Sequence, residues 1–425
     1  MTQVEQQVQP ESEDVFGAPP PPEITDVHGA GLFLPEPEPR DVQVTIISVD
    51  DHVLEPPHAF EGRFPSHLQD RAPKVIELGN GHQAWEFDGT RRYEWGDSVV
   101  AGRQKELVLK VPFRYEFLRP GAFEPAARVL DMDLNGVWAS LNFPSFVSGF
   151  CGRIFSLCSD QELGIAATRA WNDWYHEEWY EPYPERFIPM SVTYLTDPEA
   201  GAAEIYRNSA RGVRAVSLPE RPHRLGLPSI FTEHWDPILR ACAETGTVVN
   251  LHIGSSGVHD APPGIPDEEA LGLTLTLFGQ LSLHACAEWL FSPYPRRYPD
   301  LKIAMSEGGI GWCAMLIDRL ENMVDRSPIS TLMGWRGERP ADVLRRNFWF
   351  CTLDDPSTID TREVIGVENI MLEVDYPHGD GTWPDTQELI ASKWAHLPDD
   401  ELRAIACENA ARLYQHPLPP VVLPL

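Results

Sequence analysis

Six side chains able to hold a metal ion or move a proton stand at or just beyond the ends of short apolar runs. Asp50 and His52 follow "TIISV", His252 ends "TVVNLH", Glu307 ends "KIAMSE", and Asp375 and His378 close "IMLEVDYPH". In an extended segment side chains i and i+2 share a face, so Asp50 and His52 point one way and Asp51 the other. Asp50, His52, His252 and Asp375 together offer two carboxylates and two neutral imidazoles. Their charge cancels that of a divalent cation and leaves a position open for water or substrate. Glu307 precedes two glycines that allow close backbone approach by a ligand. Each residue alone has a plainer reading: Asp50 as a loop cap, His252 as a satisfied core histidine, Asp375 as a partner of the following turn, Glu307 as a carboxylate at a helix N-terminus. Their shared position at run ends is what favours the chemical reading.

Those ends belong to eight runs: Val44–Asp50, Val137–Phe143, Phe187–Val192, Val213–Leu218, Thr247–His252, Lys302–Glu307, Phe348–Thr352 and Ile370–Asp375. Near-continuous apolar runs of this length are the mark of parallel strands covered on both faces. Several intervals carry helical patterns, among them "SDQELGIAATRAWNDWYHEEW", "DPEAGAAEIYRNSARG" with Gly212 as a stop, and "HWDPILRACAETG" with Gly246 in the same role. Eight repeats of strand then helix predict an α/β fold, a distorted (β/α)8 TIM barrel whose site lies at the C-terminal strand ends.

Residues 1–43, acidic and marked by "APPPPE" and "PEPEP", read as a tail, disordered or wrapped loosely on a neighbour. The barrel should span 44–416, with 417–425 as a C-terminal extension. Residues 58–130 are too many for an ordinary connection and read as an insertion or lid. Within them "HQAWEFDGTRRYEWG" sets Trp85, Phe87, Tyr93 and Trp95 around an Asp88-Gly89 turn, a hairpin signal.

The chain has 425 residues, 42% of them hydrophobic, enough for a sizeable core. Its 34 basic and 64 acidic residues give a net charge of −30, which repels nucleic acid and leaves any anionic substrate to be held by local groups. Seven cysteines without a CxxC pair argue against a disulfide framework. With no signal peptide and no 18-residue apolar span, a cytoplasmic protein without membrane contact is expected.

Four blocks, "SVDDHVLEPP", "VNLHIGSSG", "LKIAMSEGGIGW" and "NIMLEVDYPHGDGTWPDT", resemble those of the amidohydrolase superfamily, in the branch that holds amino-carboxymuconate-semialdehyde and resorcylate decarboxylases and related hydrolases. The resemblance runs from Val44 to "ENAARLYQH" and implies one divalent metal on Asp50, His52, His252 and Asp375. Two departures matter. Many relatives open with His-x-His where this chain has Asp50-Asp51-His52, which makes the site harder, so manganese or magnesium stands beside zinc. Relatives commonly have "SHGG" where this chain has "SEGG", so Glu307 takes the place of an acid/base histidine and needs a raised pKa to do its work.

The resulting expectation is a metal-dependent hydrolase acting on a small aromatic or carboxylate-bearing molecule, with Asp375 as base, Glu307 as acid and His252 at the metal. The alternatives are a non-oxidative decarboxylase of a hydroxy-aromatic acid and a catalytically silent scaffold. Phe143, Trp312 and Trp383 suit a flat ligand, Arg153 in "FCGRIF" could clamp a carboxylate, and His378 could join them. A homodimer or higher homo-oligomer is implied by the resemblance, with the insertion hairpin as a candidate contact.

Overall fold

The computed structural model describes residues 32–424 apart from 79–80, 93–95, 108–110, 112, 146, 259–261, 329–334, 336 and 353–355. Twelve strands lie among them: β1 (Ile46–Val53), β2 (Lys74–Glu77), β3 (Gln83–Phe87), β4 (Thr90–Arg92), β5 (Val137–Pro144), β6 (Phe187–Ile188), β7 (Met190–Val192), β8 (Ala215–Leu218), β9 (Val248–His252), β10 (Ile303–Ser306), β11 (Phe348–Thr352) and β12 (Ile370–Leu372). All eight expected runs contain a strand. The third is split at Pro189, because proline has no N–H to give to a ladder.

The chain is α/β with parallel sheets. One sheet has the order β1-β5-β6 and the other β12-β11-β10-β9-β8-β7, every pairing parallel. Backbone bonds draw their ends together: Asp375 N–H donates to Asp50 O at 2.7 Å and His52 N–H to Tyr376 O at 2.6 Å. Strands β1, β8, β9, β10 and β12 are buried along their whole length, which is why their sequences do not alternate.

Helices fill the intervals. Gln161–Trp174 is capped by Asp160, whose carboxylate accepts from the N–H groups of Glu162 and Leu163, and Asp197 does the same for Pro198–Ala210. Asp236–Thr245 stops at Gly246, which takes φ 71° where a side chain would be strained. Among the described residues no helix is long and apolar enough to cross a membrane, and none of the seven cysteines is paired.

The insertion carries the antiparallel sheet β2-β3-β4. Its turn is Asp88-Gly89, both at positive φ (48° and 76°), the geometry that the Asp-Gly pair predicts. Trp85 and Phe87 face inward, and Trp85 Nε1–H donates to Tyr115 Oη, whose hydroxyl donates to Glu55 O. Tyr93 and Trp95, expected to complete the hairpin, lie outside the described residues.

Residues 32–43 of the expected tail lie on the body of the protein. Leu32 is buried against Val111 and Phe117, Leu34 N–H donates to Gly102 O, and Glu36 forms paired bonds with Arg119. Arg40 pairs with Asp385 and Glu388. Residues 1–31, which hold most of the expected tail, lie outside the described residues.

Candidate metal centre

At the C-terminal ends of the parallel strands, side chains from four separate segments meet. His52 Nε2 lies 3.1 Å from His252 Nε2, 3.3 Å from Asp375 Oδ1 and 3.7 Å from Asp50 Oδ1. His252 Nε2 is 3.5 Å from Asp50 Oδ1 and 3.1 Å from Glu307 Oε2. His378 joins them: its ring stacks on His52 at 3.8 Å and its Nδ1 is 2.9 Å from Asp375 Oδ1. Asp51 turns the other way, accepting from Ser48 Oγ–H and Tyr376 N–H and facing the buried Arg128.

Neither Glu307 nor Asp375 is in a strand, although both runs were expected to extend through them. β10 stops at Ser306 and β12 at Leu372, and both acids take left-handed backbone, φ 60° and 58°. A non-glycine residue in such a conformation costs about 1–3 kcal/mol. The strain turns both carboxylates out of their sheets and toward the histidines.

The donor set fits a cation. Both oxygens of Asp50 and Oδ1 of Asp375 are buried without a hydrogen-bond partner, an expensive arrangement for carboxylates on their own. Burial pushes both pKa values up, against the pull of His252 on Asp50 and reinforced by Glu307 at Asp375. Burial pushes His52 and His378 down, His378 to about 3. At His252 burial acts downward too, but Asp50 and Glu307 outweigh it and hold the ring at about 10. A place that attracts a proton this strongly also attracts a metal ion. His252 Nδ1 is 2.7 Å from Ile253 O; a carbonyl only accepts, so this nitrogen carries a proton and Nε2 faces the cluster. Two nitrogens bound at about 2.1 Å to one ion lie roughly 3.0–3.4 Å apart, and the Nε2 pair falls in that range.

The profile of the amidohydrolase family matches residues 120–415. The chain belongs to the amidohydrolase family. No curated protein matches it significantly. Among solved structures it is similar to an amidohydrolase from Mycobacterium avium subsp. paratuberculosis K-10 (22% identity, TM-score 0.67, covering 88% of this chain and 100% of the other). It is also similar to 5-carboxyvanillate decarboxylase from Sphingomonas paucimobilis (20%, 0.58, 88% and 100%). A third is 5-carboxyvanillate decarboxylase from Novosphingobium aromaticivorans DSM 12444, complexed with manganese and 4-hydroxy-3-methoxy-5-nitrobenzoic acid (16%, 0.57, 88% and 99%). At these identities the likeness is one of fold.

In this amidohydrolase a cavity of about 690 Å³ reaches the cluster through Glu307 and Asp375. Glu373 holds Glu307 in place by accepting its backbone N–H at 3.0 Å. Gly308 is required next to it: a Cβ there would sit 1.9 Å from Ser282 Oγ. Phe143 and Phe150 pack on the His252 ring at 4.9 and 4.5 Å, and Trp312 forms part of the cavity wall.

Two expected substrate contacts lie elsewhere. Arg153 lines a separate cavity of about 330 Å³ beside Phe87 and Cys158, because the turn at Gly152 directs it under the insertion. Trp383 packs on Tyr376 with the Arg119 guanidinium over its ring, and its indole N–H donates to Asp131 O. Thr382 lines the cavity, and Trp383, the next residue, faces away.

Sequence reasoning passed over Glu373 and Asp380, which flank Asp375 in the same block and line the cavity. It also missed Glu220, just beyond β8, although the rule of reading strand ends would have found it. Glu220 is buried, and burial lifts its pKa to about 7 despite the opposing pull of His252 and of the Ser256 and Gly254 backbone. Its folded pKa is above the unfolded value near 4.5, so the native state holds the proton longer. Stability should therefore fall as pH rises from about 4.5 to 7 and level off above, by up to about 3 kcal/mol. Glu220→Gln should flatten that slope in thermal unfolding between pH 5 and 8; an unchanged slope would show that the carboxyl is not the source.

Proposed function

We propose that this amidohydrolase is a metal-dependent hydrolase of a small substrate, holding one divalent ion on Asp50, His52, His252 and Asp375. The observation that carries the reading is the meeting of two imidazole nitrogens at 3.1 Å beside the buried carboxylates of Asp50 and Asp375. On this reading the eight parallel segments close into a (β/α)8 barrel over 44–416, with 58–130 as its lid and a second copy of the chain as its partner. The mixed carboxylate and imidazole set suits zinc or manganese, and the manganese-bound decarboxylase of similar fold supports the latter.

When bound, the ion supplies Lewis acidity, making water acidic near neutral pH and polarising a substrate carbonyl. Asp375 then takes the proton from the attacking water, oriented by His378 Nδ1 at 2.9 Å. Glu307, 3.1 Å from His252 and open to the cavity, gives a proton to the leaving group. Phe143 and Phe150 keep bulk water from the histidines.

Decarboxylation is the second reading, favoured by the decarboxylases of like fold. It would use the same ligands, with Asp375 protonating a ring carbon. Mass spectrometry of untagged protein should find about one equivalent of zinc or manganese per chain. Asp50→Asn should weaken its retention while Asp51→Asn spares it, since the two carboxylates face opposite ways. Equal loss in both, or no uptake by the wild type after supplementation, would remove the metal reading and favour a silent scaffold. Esters and amides tested for hydrolysis against hydroxybenzoates tested for carbon dioxide release then separate the two reactions.

A further inference from the structure

Four carboxylates, Glu307, Glu373, Asp375 and Asp380, line the 690 Å³ cavity, and no lysine or arginine lines it among the described residues. The lining also has a large apolar part: Leu275, Leu277, Phe278, Leu283, Trp312 and Met315. Leu275 and Met315 are large side chains left exposed, 41% and 51%, at a surface that a ligand body would cover. Gln280, Thr276 and Thr382 add neutral hydrogen-bonding groups to the lining.

From this distribution we infer that the substrate has an apolar body and carries no negative charge: its head group is neutral, such as an amide, or cationic, such as an amine. The inference rests on the proposed metal site and names the substrate class for it. A divalent ion balances Asp50 and Asp375, and Glu307 serves as the proton donor, so the carboxylates of Glu373 and Asp380 are the ones a ligand meets along the lining. A carboxylate entering the cavity meets these like charges in a partly desolvated space, where they are screened less than in water. The net charge of −30 opposes its approach from a distance as well. Two buried or half-buried arginines among the described residues are turned elsewhere. Arg153 lies in the second cavity, and Arg128 lies behind β1, donating to Gly121 O and His52 O. A carboxylate-bearing substrate, expected from the sequence, is therefore disfavoured by the wall that would receive it.

The test compares benzamide, benzylamine and benzoate, three ligands of similar size that differ in charge, by calorimetric titration of the full-length protein with and without one equivalent of manganese. Benzamide and benzylamine should bind at least about tenfold more tightly than benzoate, and Asp380→Asn should narrow the gap between benzylamine and benzoate. Tightest binding by benzoate, or no ranking by charge, would overturn the inference. The two readings fail separately. Manganese uptake with benzoate bound best would keep the metal site and sink the substrate class. The predicted ranking without any manganese uptake would keep the substrate class and sink the metal site.

Discussion

His252→Ala should reduce bound metal from about one equivalent per chain to a small fraction of that, and should lower any hydrolytic rate by at least about a hundredfold. The magnitude follows from the position of the ring. Its Nε2 faces His52, Asp50 and Glu307 at 3.1, 3.5 and 3.1 Å, so it stands among three other members of the cluster. Loss of a group that merely orients a ligand already costs about 10–100-fold in affinity or activity, and loss of the ligand itself costs more. The readout need not be activity. A ligand that binds only the folded state stabilises it by about 2.7 kcal/mol at a hundred times its dissociation constant. Manganese should therefore raise the melting temperature of the wild type and leave that of His252→Ala where it was. An equal rise in both would place the metal elsewhere. The variant should still fold, because Phe143 and Phe150 remain packed beside the vacated space.

Arg128→Ala is expected to be the most damaging single change to stability, by about 3–5 kcal/mol, seen as a lower urea midpoint with an unchanged slope. Arg128 lies on the helix Pro125–Asn135 and is fully buried. Its Nε–H donates to Gly121 O at 2.7 Å and another guanidinium nitrogen donates to His52 O. The planar group also lies over Tyr376 at 4.2 Å and near Trp179 at 5.3 Å. Alanine would leave two carbonyls without donors, a cavity between the rings, and Asp51 without its countercharge. Arg128→Met with Asp51→Asn should recover part of the loss, because the pair then leaves together and its volume stays filled. A cost below about 1 kcal/mol for Arg128→Ala would show that water enters and replaces the guanidinium. The same variant tests a link to function, since the carbonyl that loses its donor belongs to His52.

The sequence by itself determined the order of the parallel strands' segments and which carboxylates and imidazoles stand near their ends. Strands buried on both faces must be apolar along their length, so all eight runs were visible, and the polar residues at their ends stood out. The opposed faces of Asp50 and Asp51 followed from the pleat alone. The helix stop at Gly246 and the Asp-Gly turn at 88–89 were legible for the same reason: a few local bonds decide them. The tertiary structure decided what depends on distant neighbours. It ended β10 and β12 before Glu307 and Asp375, whose left-handed backbone is held by contacts with other segments, such as the bond from Glu307 N–H to Glu373. It carried Arg153 and Trp383 away from the cavity, because burial against the insertion and against Tyr376 claims them. Residues 32–43, though rich in proline and charge, lie on the body because Arg119, Asp385 and Glu388 offer partners that no local pattern reveals. The charge of the cavity wall was likewise hidden, since its four carboxylates come from two segments more than 60 residues apart that meet only when the sheets form.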